Sequence, residues 1–441
     1  MIGFHSVSVI LDAYRKQVIT KDELQQLWPA VKAEAMSNRF GLDKFREKGY
    51  LSIEDEYESV SKTLEYSYDM WCVSEIAKVL EYKNDEIYFR KYENAWQELY
   101  NPEIGFLQPR KNGNWLPNFN PYEVNNNYTE ANAWQYSFYH PHNSLQNEYL
   151  LDSLFKANTK TQGRTQADIT GLIGQYAHGN EPSHNYIYLL NDENRIKYLQ
   201  FVYDNFYTNQ PDGLIGNEDC GQMSAWYVMS ALGFYQTCPG FQSYKIGMPL
   251  FKKVKVTGFD NKTMLMEKSA LNQVQKNKYL LFNKKAFIND TMNLLNDELP
   301  LHVLFNNSTT QYFVNSIGKK IENKYNTINN SNIKAPLIIP STAKALFDSC
   351  VISIKSLNNI NHTIYYSVNN SSFIKYENPF VITKTSTIKA FCSDIDLKSN
   401  LSVAHFYKRP HNYSIKLNCT YNRQYTADGD DGIIDGLYGD K

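Results

Sequence analysis

The chain has 441 residues, with 45 Lys+Arg against 46 Asp+Glu and a net charge of −1. That length holds several domains of about 100–200 residues each. The balanced charge leaves no basic face for nucleic acid, and no run of about 18 apolar residues is present to span a membrane. The six cysteines (Cys72, Cys220, Cys238, Cys350, Cys392, Cys419) show neither metal-type spacing nor a disulfide framework. Cys350 with Cys392 is the one pairing that a single small module would allow.

Helical spacing or helix formers predict helices over 7–14, 24–36, 59–80, 85–100, 134–139, 146–157, 183–190, 195–206 and 220–232. In the 59–80 stretch, Lys62 and Glu65 stand three apart and are expected to pair at the surface. Asp69 lies in the same stretch, near Trp71. Segment 101–129 contains Pro102, Gly105, Pro109, Gly113, Pro117 and Pro121 and should be irregular. Loops this long are often functional, so Phe106, Arg110, Trp115 and Phe119 are candidates for a cleft wall. Beyond residue 251 the pattern changes to short apolar runs, such as 278–282 and 302–305, that read as strands. Residues 335–408 read as a separate β-sandwich module with strands near 364–368, 376–380 and 386–391. The tail carries an acidic cluster, Asp428, Asp430, Asp431 and Asp435. A disordered acidic end is the favoured reading of it.

Three segments concentrate chemistry. Glu218 and Asp219 lie between Gly216 and Gly221, directly before the 220–232 helix. Glycines permit backbone conformations that other residues resist, and Asn217 is a good cap for the helix. Such a pair serves either an acidic helix N-terminus or catalysis. Glu130 lies among Tyr128, Trp134 and Tyr136. Partial desolvation there would raise its pKa and suit it to donate a proton. His178, Asn180, Glu181, His184 and Asn185 cluster around Pro182, which fits the first position of a helix. Their oxygen-rich donor set suits a hard cation such as calcium rather than zinc.

Together these segments resemble glycoside hydrolase family 92, the calcium-dependent exo-acting α-mannosidases. The resemblance runs from Met1 to about Phe251. It is carried by Met1 to His5, Glu58 to Asp69, Glu130 to Tyr136, His178 to Pro182, Gly216 to Trp226 and Ile246 to Phe251, all in the family's order. The resemblance implies an inverting mechanism, in which an acid protonates the leaving oxygen and a base activates water. Glu130 matches the family's acid and Asp219 its base, with Glu218 as the alternative base. Asn217 stands where the family often has a further acid. Asn180 and Glu181 match leaving-group-side substrate residues. Trp115 and Trp134 are candidate substrate-binding aromatics. Asp69 either binds a sugar hydroxyl or makes an internal hydrogen bond. The implied calcium falls to His184, through its backbone oxygen, and to Asn185. Inverting geometry places the two carboxyls about 6.5–9.5 Å apart across a pocket, which His184 or Asn185 should also line.

The implied fold is multidomain, α then β: a partial (α/α)6 toroid followed by β-sandwich modules. Residues 1–251 would form the partial toroid and 252–334 the β-rich end of the catalytic region. Residues 335–408 resemble a chitobiase/hexosaminidase C-terminal-type domain, and 409–441 the start of a discoidin-like carbohydrate-binding module. Family members also carry an N-terminal β-sandwich and further toroid helices. These have no counterpart here, so an N-terminally truncated chain is expected. The implied partner is an α-mannoside glycan and the implied location secreted or periplasmic, although residue 1 onward shows no basic-plus-apolar leader. An inactive fragment or a carbohydrate-binding scaffold is the alternative.

Overall fold

The computed structural model describes residues 2–143, 148–241 and 243–257, backbone strands between 263 and 306, and 333–409 except 343–344, 347, 359–361 and 395–396, with isolated positions up to 418. Helices dominate the first half and strands the second. Among the described residues no helix is long and apolar enough to cross a membrane.

The first helices are α1 (Ser6–Arg15), α2 (Lys21–Ala35), α3 (Leu42–Lys48), α4 (Ser59–Val79) and α5 (Lys83–Arg90). α2 starts earlier than its apolar spacing predicts, because Thr20 and Glu23 form a reciprocal capping box ahead of the first apolar residue. α3 went unpredicted: at seven residues it is too short to show a period, and left-handed Gly41 and Gly49 bound it. α4 is buried on nearly every side, packed among α1, α2 and α5. Lys62 and Glu65 on it are therefore buried, not a surface pair. Lys62 meets Glu56 at 3.3 Å and the Tyr57 ring at 3.9 Å. The predicted 85–100 helix is divided into α5 and a 3-10 turn, Ala95–Glu98.

The second group comprises α6 (Ala133–Tyr136), α7 (Glu148–Lys156), α8 (Tyr186–Leu189), α9 (Asp192–Asn205) and α10 (Gln222–Leu232). Each group has its own apolar core, the first around Leu11, Trp28 and Val73, the second around Leu99, Tyr186 and Trp226. Between the groups, 101–129 is irregular apart from short strands. β structure begins before residue 251: Ser243–Ile246 pairs with Phe234–Tyr235 and with Thr291–Asn293. Lys253–Thr257 and Thr263–Ser269 then run antiparallel, and Leu301–Asn306 joins the latter in parallel.

The C-terminal module packs two sheets on one core of Ile338, Ile352, Ile388 and Phe406. One sheet orders Leu337–Pro340, Cys350–Lys355 and Phe380–Ile382. The other orders Ala345–Leu346, Ser402–Lys408, Ser386–Ser393, Thr363–Val368 and Ile374–Lys375. Strand Ser386–Ser393 alternates buried and partly exposed positions along its whole length, as one covered sheet face requires. The predicted 376–380 strand is instead Phe380–Ile382. Cys350 and Cys392 are free thiols. The acidic segment 425–439 lies outside the described residues, as do Cys419 and most of 258–332.

This module seals against the helical region through Arg110. Its guanidinium is wholly buried and lies over the rings of Tyr50 (5.1 Å) and Trp115 (4.7 Å). It donates to Glu98 O, Pro336 O and Ser402 Oγ, each at 3.4 Å. Glu98 accepts from Ala335 N at 3.0 Å and Asn400 Nδ2 at 3.3 Å. Arg110 and Trp115 thus belong to an interdomain junction rather than to a cleft wall.

Candidate active site

A cavity of about 780 Å³ is lined by Glu130, Asn180, Glu181, His184 and Asn185, together with His5, Glu65, Tyr136 and Trp226. Glu130 sits in the turn that enters α6 and has a left-handed backbone, φ 52°. The turn is held from both sides. Asn132 caps α6 reciprocally with Gln135, and Asn180 Nδ2 donates to Glu130 O at 3.0 Å. Burial raises the Glu130 carboxyl, and the negative charges of Asp168, Glu58 and Asp219 raise it further, against Arg164. The direction is the expected one, but like charges contribute where the sequence offered only aromatics. Tyr136 does line the cavity. Trp134 is instead buried edge-on against Phe106 at 4.7 Å and near Tyr122 at 5.9 Å, outside the cavity lining.

Asp219 (φ 51°), Cys220 (φ 56°) and Gly221 (φ 95°) are three successive left-handed residues. Such a conformation costs little only at glycine. Asp219 is not among the lining residues, yet its charge raises both Glu130 and Glu181, so the three carboxyls share one electrostatic field. Asp219 itself is raised by burial, then by Asp168 and Glu218. Gly216 is not left-handed. A Cβ there would come within 2.8 Å of Thr170 Oγ1, so it is small for close approach. Asn217 does not cap the helix either: its Nδ2 donates to Asp168 Oδ1 at 3.0 Å. Glu218 fills that role, accepting from Ser224 N (3.1 Å) and Ser224 Oγ (2.9 Å). Both Glu218 oxygens are engaged by the helix end, which sets it apart from Asp219.

The third segment forms a 3-10 turn, Glu181–Ser183, with Pro182 near its start. Burial raises Glu181, with Asp219 and Glu130 adding to it and its own backbone opposing. The His184 ring is fully engaged, with Nε2 on His178 O (2.8 Å) and Nδ1 facing Gln222 Nε2 (3.2 Å). Burial holds it neutral, with a pKa of about 4. Its carbonyl accepts from Trp226 Nε1 at 3.0 Å, which leaves one lone pair. Asn185 Oδ1 is buried without a partner. Among the described residues there is no group of three or more His, Cys, Asp or Glu disposed to hold a metal. The expected donors, the His184 carbonyl and Asn185 Oδ1, are neutral oxygens. They fit an oxygen-preferring cation and leave the imidazole no part in binding it.

Asp69 lies behind His5. Its Oδ2 accepts from Phe4 N at 2.7 Å, and its Oδ1 is 3.5 Å from His5 Nδ1. Glu65, one turn away, is 3.8 Å from the same nitrogen. Burial pushes Glu65 up to about 7, with His5 opposing and Asp69 adding. For His5, burial is outweighed by the Asp69 hydrogen bond and the charges of Glu65 and Asp69, which hold it at about 9. Sequence reasoning missed His5, Glu65 as a cavity residue, and Asp168. For Asp168 a signal existed: it precedes Gly171 and Gly174, an acid ahead of glycines as in the 216–221 segment.

A cavity lined by three carboxyls of raised proton affinity, Glu65, Glu130 and Glu181, with Glu130 on a left-handed turn, defines a site suited to paired acid–base chemistry. Residues 1–294 match the family model described as glycosyl hydrolase family 92 catalytic domain, and the chain belongs to that family. The match extends past the limit near Phe251 read from the motifs. The chain is 33% identical to the family GH92 α-mannosidase BT3965 from Bacteroides thetaiotaomicron, solved in complex with mannoimidazole. That likeness has a TM-score of 0.62 and covers 72% of this chain and 44% of that one. It is 29% identical to the family GH92 inverting mannosidase BT2199 from the same organism, with a TM-score of 0.55 over 71% and 46% of the two chains. An uncharacterized secreted glycosidase from Arthroderma benhamiae is 26% identical over 298 residues, 58% of this chain and 38% of that protein. The chain therefore spans less than half the length of these relatives.

Proposed function

We propose that this chain carries the acid and base of an exo-α-mannosidase that releases mannose from α-mannoside glycans with inversion. One observation carries the reading. Glu130 and Asp219, from segments 89 residues apart, are both held left-handed, and the Asp219 charge acts on the Glu130 carboxyl that lines the cavity. The solved relatives, one an α-mannosidase and one an inverting mannosidase, support the substrate class and the stereochemistry. Glu130, whose proton affinity is raised by burial and its acidic neighbours, donates to the leaving oxygen. Asp219 takes the proton of the attacking water. Asn180 fixes Glu130 through its backbone, and Glu181 lies on the leaving-group side. Asn185 Oδ1 and the His184 carbonyl would hold calcium, which when bound polarises sugar hydroxyls as a hard Lewis acid. The helices belong to an (α/α)6 toroid in this reading, and the likeness to a secreted glycosidase of Arthroderma benhamiae supports secretion.

The test is hydrolysis of mannobioses of defined linkage, with and without a calcium chelator. Mannose release is expected to be chelator-sensitive and to fall about 100- to 10,000-fold in both Glu130→Gln and Asp219→Asn. Folded wild-type protein that releases no mannose would show that these residues alone do not make an active enzyme.

A further inference from the structure

Asp168 does not line the cavity, yet the segment around it touches both halves of the site. Asp168 Oδ1 accepts from Asn217 Nδ2 at 3.0 Å, and Oδ2 from Gln166 Nε2 at 2.8 Å. Its carbonyl accepts from Thr170 N at 2.9 Å. Thr170 wedges between two glycines: a Cβ on Gly216 would come within 2.8 Å of its Oγ1, and one on Gly179 would collide with the same atom. Gly216 opens the turn bearing Asp219, and Gly179 precedes Asn180, which holds Glu130 by its carbonyl. One short segment thus meets the turn of the proposed base and the turn that fixes the proposed acid.

The base turn needs such support. Asp219 and Cys220 both sit at φ above 50°, a conformation that persists in non-glycine residues only when surroundings over-determine it. On its C-terminal side the turn is tied to α10 by Glu218 with Ser224 and by Gln222 N to Asp219 O at 3.2 Å. On its N-terminal side the side-chain tie is Asn217 to Asp168.

We infer that Asp168 is a positioning residue for the proposed base: through Asn217 it holds the left-handed turn that presents Asp219. The inference rests on the reading of Asp219 as base, and it gives Asn217 a specific use. An amide donates to Asp168, whereas a carboxylate at that position would repel it. Asp168 also adds negative charge at Asp219, Glu130 and Glu181. Glu218 acts in the same direction at Asp219 and Glu58 at Glu130, and Arg164 opposes at Glu130.

Two readouts test this. Cys220 lies inside the turn and is exposed, while Cys72, Cys238, Cys350 and Cys392 are buried. In a Cys419→Ser background, labelling by a small thiol reagent therefore reports the turn without requiring catalysis. Asp168→Ala is expected to change the Cys220 labelling rate several-fold and to lower kcat for mannobiose about 10- to 100-fold at similar KM. Asp168→Asn keeps an oxygen for Asn217, so labelling stays near wild type. The lost charge lowers the proton affinity of both Asp219 and Glu130, and both limbs of the kcat–pH profile move to lower pH. A folded Asp168→Ala protein with wild-type Cys220 labelling overturns the inference, whatever its activity. A perturbed turn in a chain whose wild type hydrolyses nothing upholds the positioning role and removes the base assignment instead.

Discussion

His5, Glu65 and Asp69 bind a proton economy at one wall of the cavity to the fold itself. His5 is held at about 9 against an ordinary 6.5. A histidine raised on folding contributes stability that is whole below the unfolded value and is lost as pH rises through the folded one. Glu65, raised from 4.5 to about 7, favours its protonated form in the folded state, so its contribution is lost as pH climbs from 4.5 to 7. Both act in the same direction. The thermal midpoint of the wild type is therefore expected to fall between pH 6.5 and 9, and His5→Gln should flatten that fall. An equal decline in the variant, followed by differential scanning fluorimetry across this range, would assign the titration to other groups.

At the scale of elements, the two acids of the 216–221 segment part company. Glu218 terminates α10, so Glu218→Ala is expected to cost about 1 kcal/mol of stability, in line with lost helix caps. Urea unfolding measures that cost, and Asp219→Asn should leave stability nearly unchanged while removing activity. The approach of Gly179 to Thr170 makes a second prediction. Gly179→Ala forces a Cβ onto Thr170 Oγ1 and should cost about 1–3 kcal/mol, as overpacking does. Thr170→Ala in the same chain removes the colliding atom. A double-mutant cycle should therefore show recovery of a large part of the loss. Additive losses would mean that the strain at Gly179 is relieved elsewhere.

In the whole molecule, Arg110 makes the C-terminal module part of the folded unit. It contacts Glu98, Pro336 and Ser402 from full burial, with Tyr50 and Trp115 on its faces. Burial raises Glu98, while Arg110 opposes that shift. Arg110→Ala removes the buried guanidinium's hydrogen bonds and one of the two positive charges, with Lys334, that offset the burial of Glu98, and is expected to cost about 1.5–3 kcal/mol. Limited proteolysis should then release the module. Unchanged resistance in a variant of wild-type stability would show that the two sheets hold the junction without the guanidinium.

The sequence by itself determined the elements with strong local signals. α2, α4, α9 and α10 were legible from helical spacing or helix formers, the irregular 101–129 segment from its prolines and glycines, and the family from motifs in order. It also located Glu130, Asn180, Glu181, His184 and Asn185, all of which the structure brings to one cavity. Only the tertiary structure decided what depends on partners distant in sequence. Lys62 and Glu65 read as a surface pair because helix spacing carries no information about which faces are covered. Trp115 and Arg110 read as cleft wall because nothing local says that residues 335–402 return to cover them. Asp168, Asn217 and Glu218 acquired their roles from one 3.0 Å bond across 49 residues and one helix cap six residues away. A short polar side chain can serve as ligand, cap or base with the same local sequence, and only the atoms packed around it select among them.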